Sequence, residues 1–159
     1  MLSTATLAAV TAAVLVACSA GVESPEQQDS RERKAAAVQV FRLHMTKDLW
    51  TRTNIGAPRD VSDEGVKKVD KPLRLDEQPG GLVTVELTGP QLVDYLKALD
   101  YNAHGGYNPK DEALAGSVYD AIAPVLDKLQ ATPVPGEPAP EVTLDAGLAP
   151  GAAAPTPTP

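Results

Sequence analysis

The segment LVTVELTGPQLVDYLKALD, residues 82–100, holds two apolar periodicities side by side. In its first part every second residue is apolar, which predicts a β-strand with one buried face: Val83, Val85 and Leu87. In its second part the apolar spacing is helical, at Leu92, Leu96 and Leu99. Thr88 and Gln91 have capping-box spacing with Pro90 in the first turn, so an amphipathic helix is expected to follow the strand directly.

The sequences on either side of this segment predict a partner for the strand and a partner for the helix. Upstream, Leu73 and Leu75 alternate before the turn-like DEQPGG, so the region predicts a short β-hairpin whose Val83 face packs on helices. Downstream, AHGGYNP ends the helix, Asn108-Pro109 is expected to cap the next one, and a stripe ending at Leu129 predicts that helix as far as about Gln130. Two consecutive helices predict a C-terminal αα-hairpin.

Two more helices are expected nearer the N-terminus. One apolar stripe predicts a helix from about Arg31 to Thr51: Val38, Phe41, Met45 and Leu49. The sequence VSDEGVKKVDKP, residues 61–72, predicts a short helix capped by Ser62. The expected fold class is therefore mainly α, of the α+β type: a small helical domain of three to four helices with one short β-hairpin and disordered ends.

The chain of 159 residues carries 14 basic and 21 acidic side chains, a formal net charge of −7. It lacks the excess of cations that releases phosphate counterions, so we expect no nucleic-acid partner. The charge is uneven, because residues 31–52 hold six Lys or Arg against two acidic residues. This basic segment either pairs with the acidic remainder of its own domain or lies near anionic lipid.

The only cysteine, Cys18, follows an apolar run, TLAAVTAAVLVA, and no charged residue occurs from Leu2 to Ala17. The run has the length of the apolar part of an export signal and is short for a membrane span, which needs about 20 apolar residues. A lone cysteine cannot form an internal disulfide, so disulfides do not stabilise this fold.

The tetrapeptide Leu15-Val16-Ala17-Cys18 resembles the lipobox of bacterial lipoprotein precursors. The resemblance implies that the signal peptide, residues 1–17, is removed and that Cys18 carries a diacylglycerol and an acyl chain, with no other cofactor expected. It also implies a cell-membrane protein on the extracytoplasmic face, with the membrane as partner through the lipid anchor. An uncleaved span, an ordinary export signal and a buried helix are the alternatives.

The remaining chain divides by composition into three parts. Residues 18–30 are small and polar and predict a flexible tether. Residues 31–130 form the expected small helical α+β domain. Residues 131–159 hold eight of the fifteen prolines and no Lys or Arg, which predicts a disordered Pro/Ala-rich tail.

Four candidate binding residues lie within the Gly-rich sequence YNAHGGYN, residues 101–108: Tyr101, His104, Tyr107 and Asn108. Exposed tyrosines in a loop are typical of surfaces that recognise proteins or sugars. His104 has Asp100 one helical turn before it, which makes the two residues weak candidates for a metal site or a proton-transfer pair. The other histidine, His44, is expected to pair with Asp48 on the surface of the first helix.

The sequence lacks the motifs of the common hydrolases, P-loop proteins and zinc proteins, so we expect no catalytic residue and no enzyme activity. The leading hypothesis is a membrane-anchored surface lipoprotein with a noncatalytic binding or accessory role toward another envelope protein or peptide. One alternative is a small envelope enzyme or metal-binding protein that uses His104 and neighbouring carboxylates. Another is an inhibitor of a secreted enzyme.

Overall fold

The computed structural model describes residues 24–58, 65–130 and 138–144. These residues form four helices and four strands in the following order: α1 Gln28–Ala37, β1 Phe41–Thr46, α2 Lys47–Thr53, β2 Arg74–Glu77, β3 Leu82–Leu87, α3 Gly89–Ala103, α4 Glu112–Lys128 and β4 Glu141–Thr143. The protein therefore has an α+β fold, as the sequence predicts, but the single β-hairpin expected in a mainly helical domain is part of a four-stranded sheet. No helix among the described residues is long and apolar enough to cross a bilayer.

The four strands form one mixed sheet in the order β2-β3-β1-β4. β2 and β3 are antiparallel and form the predicted hairpin, which turns through Gly80 and Gly81, both at positive φ. β1 is antiparallel to β3 and parallel to β4, which reaches the sheet only after the last helix. The sheet therefore joins segments from the beginning, the middle and the end of the described chain.

The core lies on one face of this sheet. In β1 and β3, buried apolar residues lie directly opposite one another: Phe41 and Leu87, Leu43 and Val85, and Met45 and Val83. They belong to one apolar cluster with the buried faces of α3 and α4, which pack against each other and against α1. The opposite face is polar, with the guanidinium of Arg42 2.9 Å from the Glu86 carboxylate.

The predicted helix from Arg31 to Thr51 is wrong in its central part, because β1 replaces it. Phe41 and Met45 fit a helical stripe, but Leu43 between them is also fully buried, so the true apolar period in this stretch is two. β1 gains backbone partners on both sides, from β3 and β4. Pairing with distant strands thus overrides the local helical spacing.

The short helix predicted over residues 61–72 does not form in its described part. Ser62 lies outside the described residues, and residues 65–72 contain no helix. The side chain of Asn54 instead bonds both backbone groups of Val69, accepting from its N–H and donating to its carbonyl at 2.8 Å each. These bonds hold the backbone in an irregular path and leave Val69 5% exposed, inside the core.

The folded domain extends beyond the predicted limits, residues 31–130, at both ends. Gln28–Ser30, assigned to the tether, are the first residues of α1, so the tether ends earlier than residue 30. In the expected disordered tail, β4 pairs with β1, and Val142 and Leu144 are buried in the core. The alternation of Val142 and Leu144 lets a proline-rich segment bury two apolar side chains on one face. Residues 131–137 and 145–159 of the tail, and residues 1–23 with Cys18, lie outside the described residues.

The buried position of Leu144 gives the first prediction. We expect Leu144→Ala to lower the free energy of unfolding of the full chain by about 2 to 4 kcal/mol, because it removes buried methyl groups from the core. Thr143→Ala, at the exposed neighbouring position, should change it by less than about 0.5 kcal/mol. Urea unfolding followed by circular dichroism measures both values, and equal effects of the two substitutions would contradict the docking of this segment.

Candidate functional site

The last turn of α3 holds the two candidate proton-transfer residues. His104 is the C-cap of α3, and its backbone N–H bonds the carbonyl of Asp100 at 2.8 Å. Its Nδ1 also lies 2.8 Å from Oδ1 of Asp100, and both side chains are largely buried. The sequence spacing therefore predicted this contact correctly, since residues four apart in a helix share one face.

Of the two candidate tyrosines, Tyr101 is a half-buried residue of the last turn of α3 and Tyr107 lies in the loop that follows. Gly105, at φ +98°, turns the chain out of the helix in the way the sequence predicts. The hydroxyl of Tyr101 donates to the carbonyl of Tyr107 at 2.8 Å, so one tyrosine fixes the backbone of the other. The Tyr107 side chain itself is 68% exposed. The loop thus presents an aromatic side chain to solvent on a fixed backbone.

Asn108 does not cap α4 as the sequence predicts. It is exposed at a positive φ of 54°, and the N-cap of α4 is Asp111. Asn102 supports this part of the loop instead, because its side-chain oxygen accepts the Lys110 N–H at 2.8 Å. Asn108 therefore contributes an exposed polar side chain beside Tyr107 and no helix cap.

A group of side chains that sequence analysis missed surrounds the Asp100–His104 pair. The His104 ring meets the Tyr119 ring edge to face, with centroids 5.4 Å apart. The Tyr119 hydroxyl donates to Oε1 of Gln28 and accepts from the guanidinium of Arg31. We call these residues, with Ser24 and Asp127, the junction cluster, because they join the N-terminal segment to α3 and α4.

The two ends of the junction cluster are a hydrogen bond and an ion pair. At one end, the Ser24 hydroxyl donates to Oδ2 of Asp100 at 2.5 Å. At the other, Arg31 makes two hydrogen bonds to the Asp127 carboxylate, at 2.9 and 2.7 Å. Partners 76 and 96 residues apart are thereby held together. The only sequence signal for these contacts is the basic segment 31–52, which pairs here with an acidic helix.

Burial and hydrogen bonding within the junction cluster shift the pKa values of three of its groups. Hydrogen bonding to Arg31 holds the pKa of the Asp127 carboxyl below its usual value, and the same bond raises the pKa of Arg31. Burial raises the pKa of Tyr119, although its hydrogen bond from Arg31 opposes the shift. At neutral pH this part of the molecule therefore holds a charged Arg31–Asp127 pair beside a neutral tyrosine.

The chemistry available to His104 follows from its contact with Asp100. When Nδ1–H donates to this carboxylate, Nε2 carries the free lone pair and can accept a proton or bind a metal ion. A metal site needs more ligands, and the described residues contain no group of three or more His, Cys, Asp or Glu placed to hold a metal ion. The geometry shows a histidine–carboxylate pair and no larger ligand set in this part of the chain.

His44 is not in a helix, as the sequence predicts, but in strand β1. It is a strand residue on the polar face of the sheet, with Nδ1 3.0 Å from the Thr84 hydroxyl and Nε2 3.6 Å from the Glu141 carboxylate. The expected helical pair with Asp48 is wrong, because His44 is in β1 and Asp48 is in α2.

The Arg31–Asp127 pair generates the second prediction. Because the pKa of Asp127 is lowered in the folded state, its contribution to stability is present above the unfolded-state pKa, about 3.9, and is lost as the pH falls below that value. We expect Asp127→Asn to lower the melting temperature at pH 7 and to leave it close to that of the unchanged protein at pH 2. Thermal unfolding from pH 2 to pH 7 measures this convergence.

Asp120→Asn, an exposed position on the same helix, is the matched control and should leave the acid dependence unchanged. A stability loss in Asp127→Asn that is the same at pH 2 and pH 7 would contradict the role assigned to the ion pair.

Three comparisons with known proteins found no similar protein. No family model matches the chain, and no curated protein or solved structure is significantly similar to it.

Proposed function

We propose that this protein is a lipid-anchored surface protein of the cell envelope with a noncatalytic binding role. The lipobox-like sequence Leu15-Val16-Ala17-Cys18 supports an extracytoplasmic location, with Cys18 as the acylated residue. Two or more acyl chains on one residue are enough for stable anchoring, whereas a single chain binds a membrane reversibly. The proposed partner is an envelope protein or an extended peptide.

The observation that best supports this function is the hydrogen bond from Ser24 to Asp100. It ties the chain, six residues after Cys18, to the last turn of α3, immediately before the candidate loop. Six residues span at most about 20 Å. The proposed lipid on Cys18 therefore lies within about 20 Å of Ser24, which contacts the last turn of α3, and this short connection favours a partner at or near the membrane surface.

The loop itself has the properties of a recognition surface. Tyr107 offers a large amphipathic ring with few rotatable bonds, which is a common source of binding energy at protein interfaces. Its backbone is fixed by Tyr101, so little conformational entropy is lost on binding. Exposed Asn108, the next residue in the chain, offers a polar side chain for hydrogen bonds to a partner.

Lipidation is tested on Cys18. We expect the native product to begin at Cys18, with a mass increased by a diacylglycerol and an acyl chain, and to stay with membranes after high-salt and alkaline washing. Cys18→Ala should remain at precursor size, because the lipid-bearing thiol is missing, whereas Ser19→Ala should be processed normally. Mass spectrometry and fractionation give these readouts. A Cys18→Ala protein that reaches the mature size and still partitions with membranes would refute this location.

Binding through the loop is tested with a photo-cross-linking amino acid at position 107, and with the same amino acid at exposed position 120 as control. In intact cells we expect one envelope protein or peptide to be cross-linked from position 107 and not from position 120. Tyr107→Ala should then weaken the affinity for that purified partner by about tenfold or more. Calorimetry measures the affinity.

Two results would count against the binding role. Equal cross-linking of abundant envelope proteins from both positions would contradict a specific surface at the loop. A stoichiometric heat on titration with zinc that disappears in His104→Ala would instead favour the alternative, an enzyme or metal-binding protein built on the Asp100–His104 pair.

A further inference from the structure

Strand β2, Arg74–Glu77, forms one edge of the sheet. It pairs with β3 on one side, and no described strand lies on its other side. Three of the four large apolar side chains exposed in the described residues belong to this hairpin: Leu73, Leu75 and Leu82. A strand edge that combines free backbone groups with exposed apolar side chains is a template for pairing with another strand.

The backbone of β2 directs specific groups outward. Gln78 donates its N–H to the carbonyl of Leu82 at 2.8 Å, which closes the hairpin. Hydrogen-bonded pairs alternate along an antiparallel ladder, so Asp76 and Arg74 also direct their backbone groups toward β3. The N–H and C=O of Leu75 therefore point away from the sheet, where a further strand would accept and donate hydrogen bonds.

The side chains of β2 match a second copy of the same strand. In an antiparallel pair centred on Leu75, each Arg74 lies opposite Asp76 of the other copy, and the two Leu75 side chains lie opposite each other. Arg74 and Asp76 share the polar face, where they already pair at 2.7 Å within one chain. Leu75 lies opposite Val85 on the helix-covered face, so the Leu75 contact would extend the core side of the sheet.

The neighbouring registers are disfavoured by charge. Centring the pair on Asp76 would oppose two carboxylates, and centring it on Arg74 would oppose two guanidiniums. The register centred on Leu75 places Glu77 opposite Leu73, and the Glu77 carboxylate is already bound by Lys47 of its own chain at 2.5 Å. All three registers leave the helices of both copies on the same face of the sheet, and only the one centred on Leu75 also pairs opposite charges.

We propose that two copies of this protein pair through β2 in the antiparallel register centred on Leu75, forming one continuous eight-stranded sheet. The contact is short, so the dimer is weak and reversible in solution. It does not require the lipid anchor, although confinement of both copies to one membrane would raise their effective concentration and favour pairing.

The register is tested in the full chain carrying Cys18→Ala, so that position 75 in the additional variant Leu75→Cys holds the only thiol. In a hydrogen-bonded pair the two Cα atoms are about 5.5 Å apart, within the range of a disulfide. We expect mild oxidation in detergent solution to give a disulfide dimer. Leu82→Cys, exposed on the opposite face of the same hairpin, is the matched control and should remain monomeric.

Charge reversal then tests the apposition of Arg74 and Asp76. Adding Arg74→Asp or Asp76→Arg to the Leu75→Cys chain should lower the dimer yield about tenfold, because like charges then face each other twice. Mixing the two variants in equal amounts should restore the yield as a heterodimer, identified by mass, since every facing pair is again of opposite sign. Circular dichroism checks that each variant folds.

The mixing step separates pairing from folding, because neither chain is altered when the other is added. The proposal is overturned if the mixture gives no more dimer than the single variants, or if Leu82→Cys cross-links as well as Leu75→Cys. Lipidation has no part in this experiment, so failure of the proposed membrane anchor leaves its outcome unchanged.

Discussion

The pairing of β1 with β3 is the contact on which the rest of the structure depends. Its register places six apolar side chains, three from each strand, on the face that the helices cover. Because strand side chains alternate between faces, a shift of one residue would turn one strand's apolar set toward solvent. β2, β4 and the core faces of α3 and α4 all join this ladder or its apolar face. The fold is therefore specified by a pairing between segments about forty residues apart.

The connection between β3 and α3 fixes the position of the helices relative to the sheet. Thr88 caps α3 through a complete capping box with Gln91, so the helix starts at a fixed point directly after the strand. Gly89 follows, and a Cβ at this position would lie 2.5 Å from the Ala36 carbonyl and 2.7 Å from that of Val38. Only glycine allows the end of α1 to approach α3 this closely. The connection between β3 and α3 thus also positions α1, which contributes Gln28 and Arg31 to the junction cluster.

Local signals predicted what depends on neighbouring residues, and distant contacts account for what was missed. The capping box of α3, the β2–β3 hairpin and the Asp100–His104 contact all rest on residues within a few positions of one another. β1 was missed because Phe41 and Met45 satisfy both periodicities; Leu43 between them is the local sign of a strand, and pairing with β3 and β4 stabilises that conformation. The contacts of Tyr119 with Arg31 and Gln28 join residues about ninety positions apart. Composition alone indicated only that one chain holds a basic segment and an acidic remainder, and it could not say which residues pair.

The two edges of the sheet are protected to different degrees. At the β1 side, β4 covers the strand with three residues, and Pro138 and Pro140 immediately before it have no N–H to offer a further strand. Edge strands that avoid association are typically very short, charged or close to proline, and β2, four residues between Pro72 and Pro79, has these features as well. What distinguishes β2 is the order of Arg74, Leu75 and Asp76, which places opposite charges across from each other in an antiparallel pair with its own copy. Within one chain Arg74 and Asp76 neutralise each other as an ion pair, and in the proposed dimer the same two side chains would each face the opposite charge of the other copy, so the same three residues suit both the free and the paired strand.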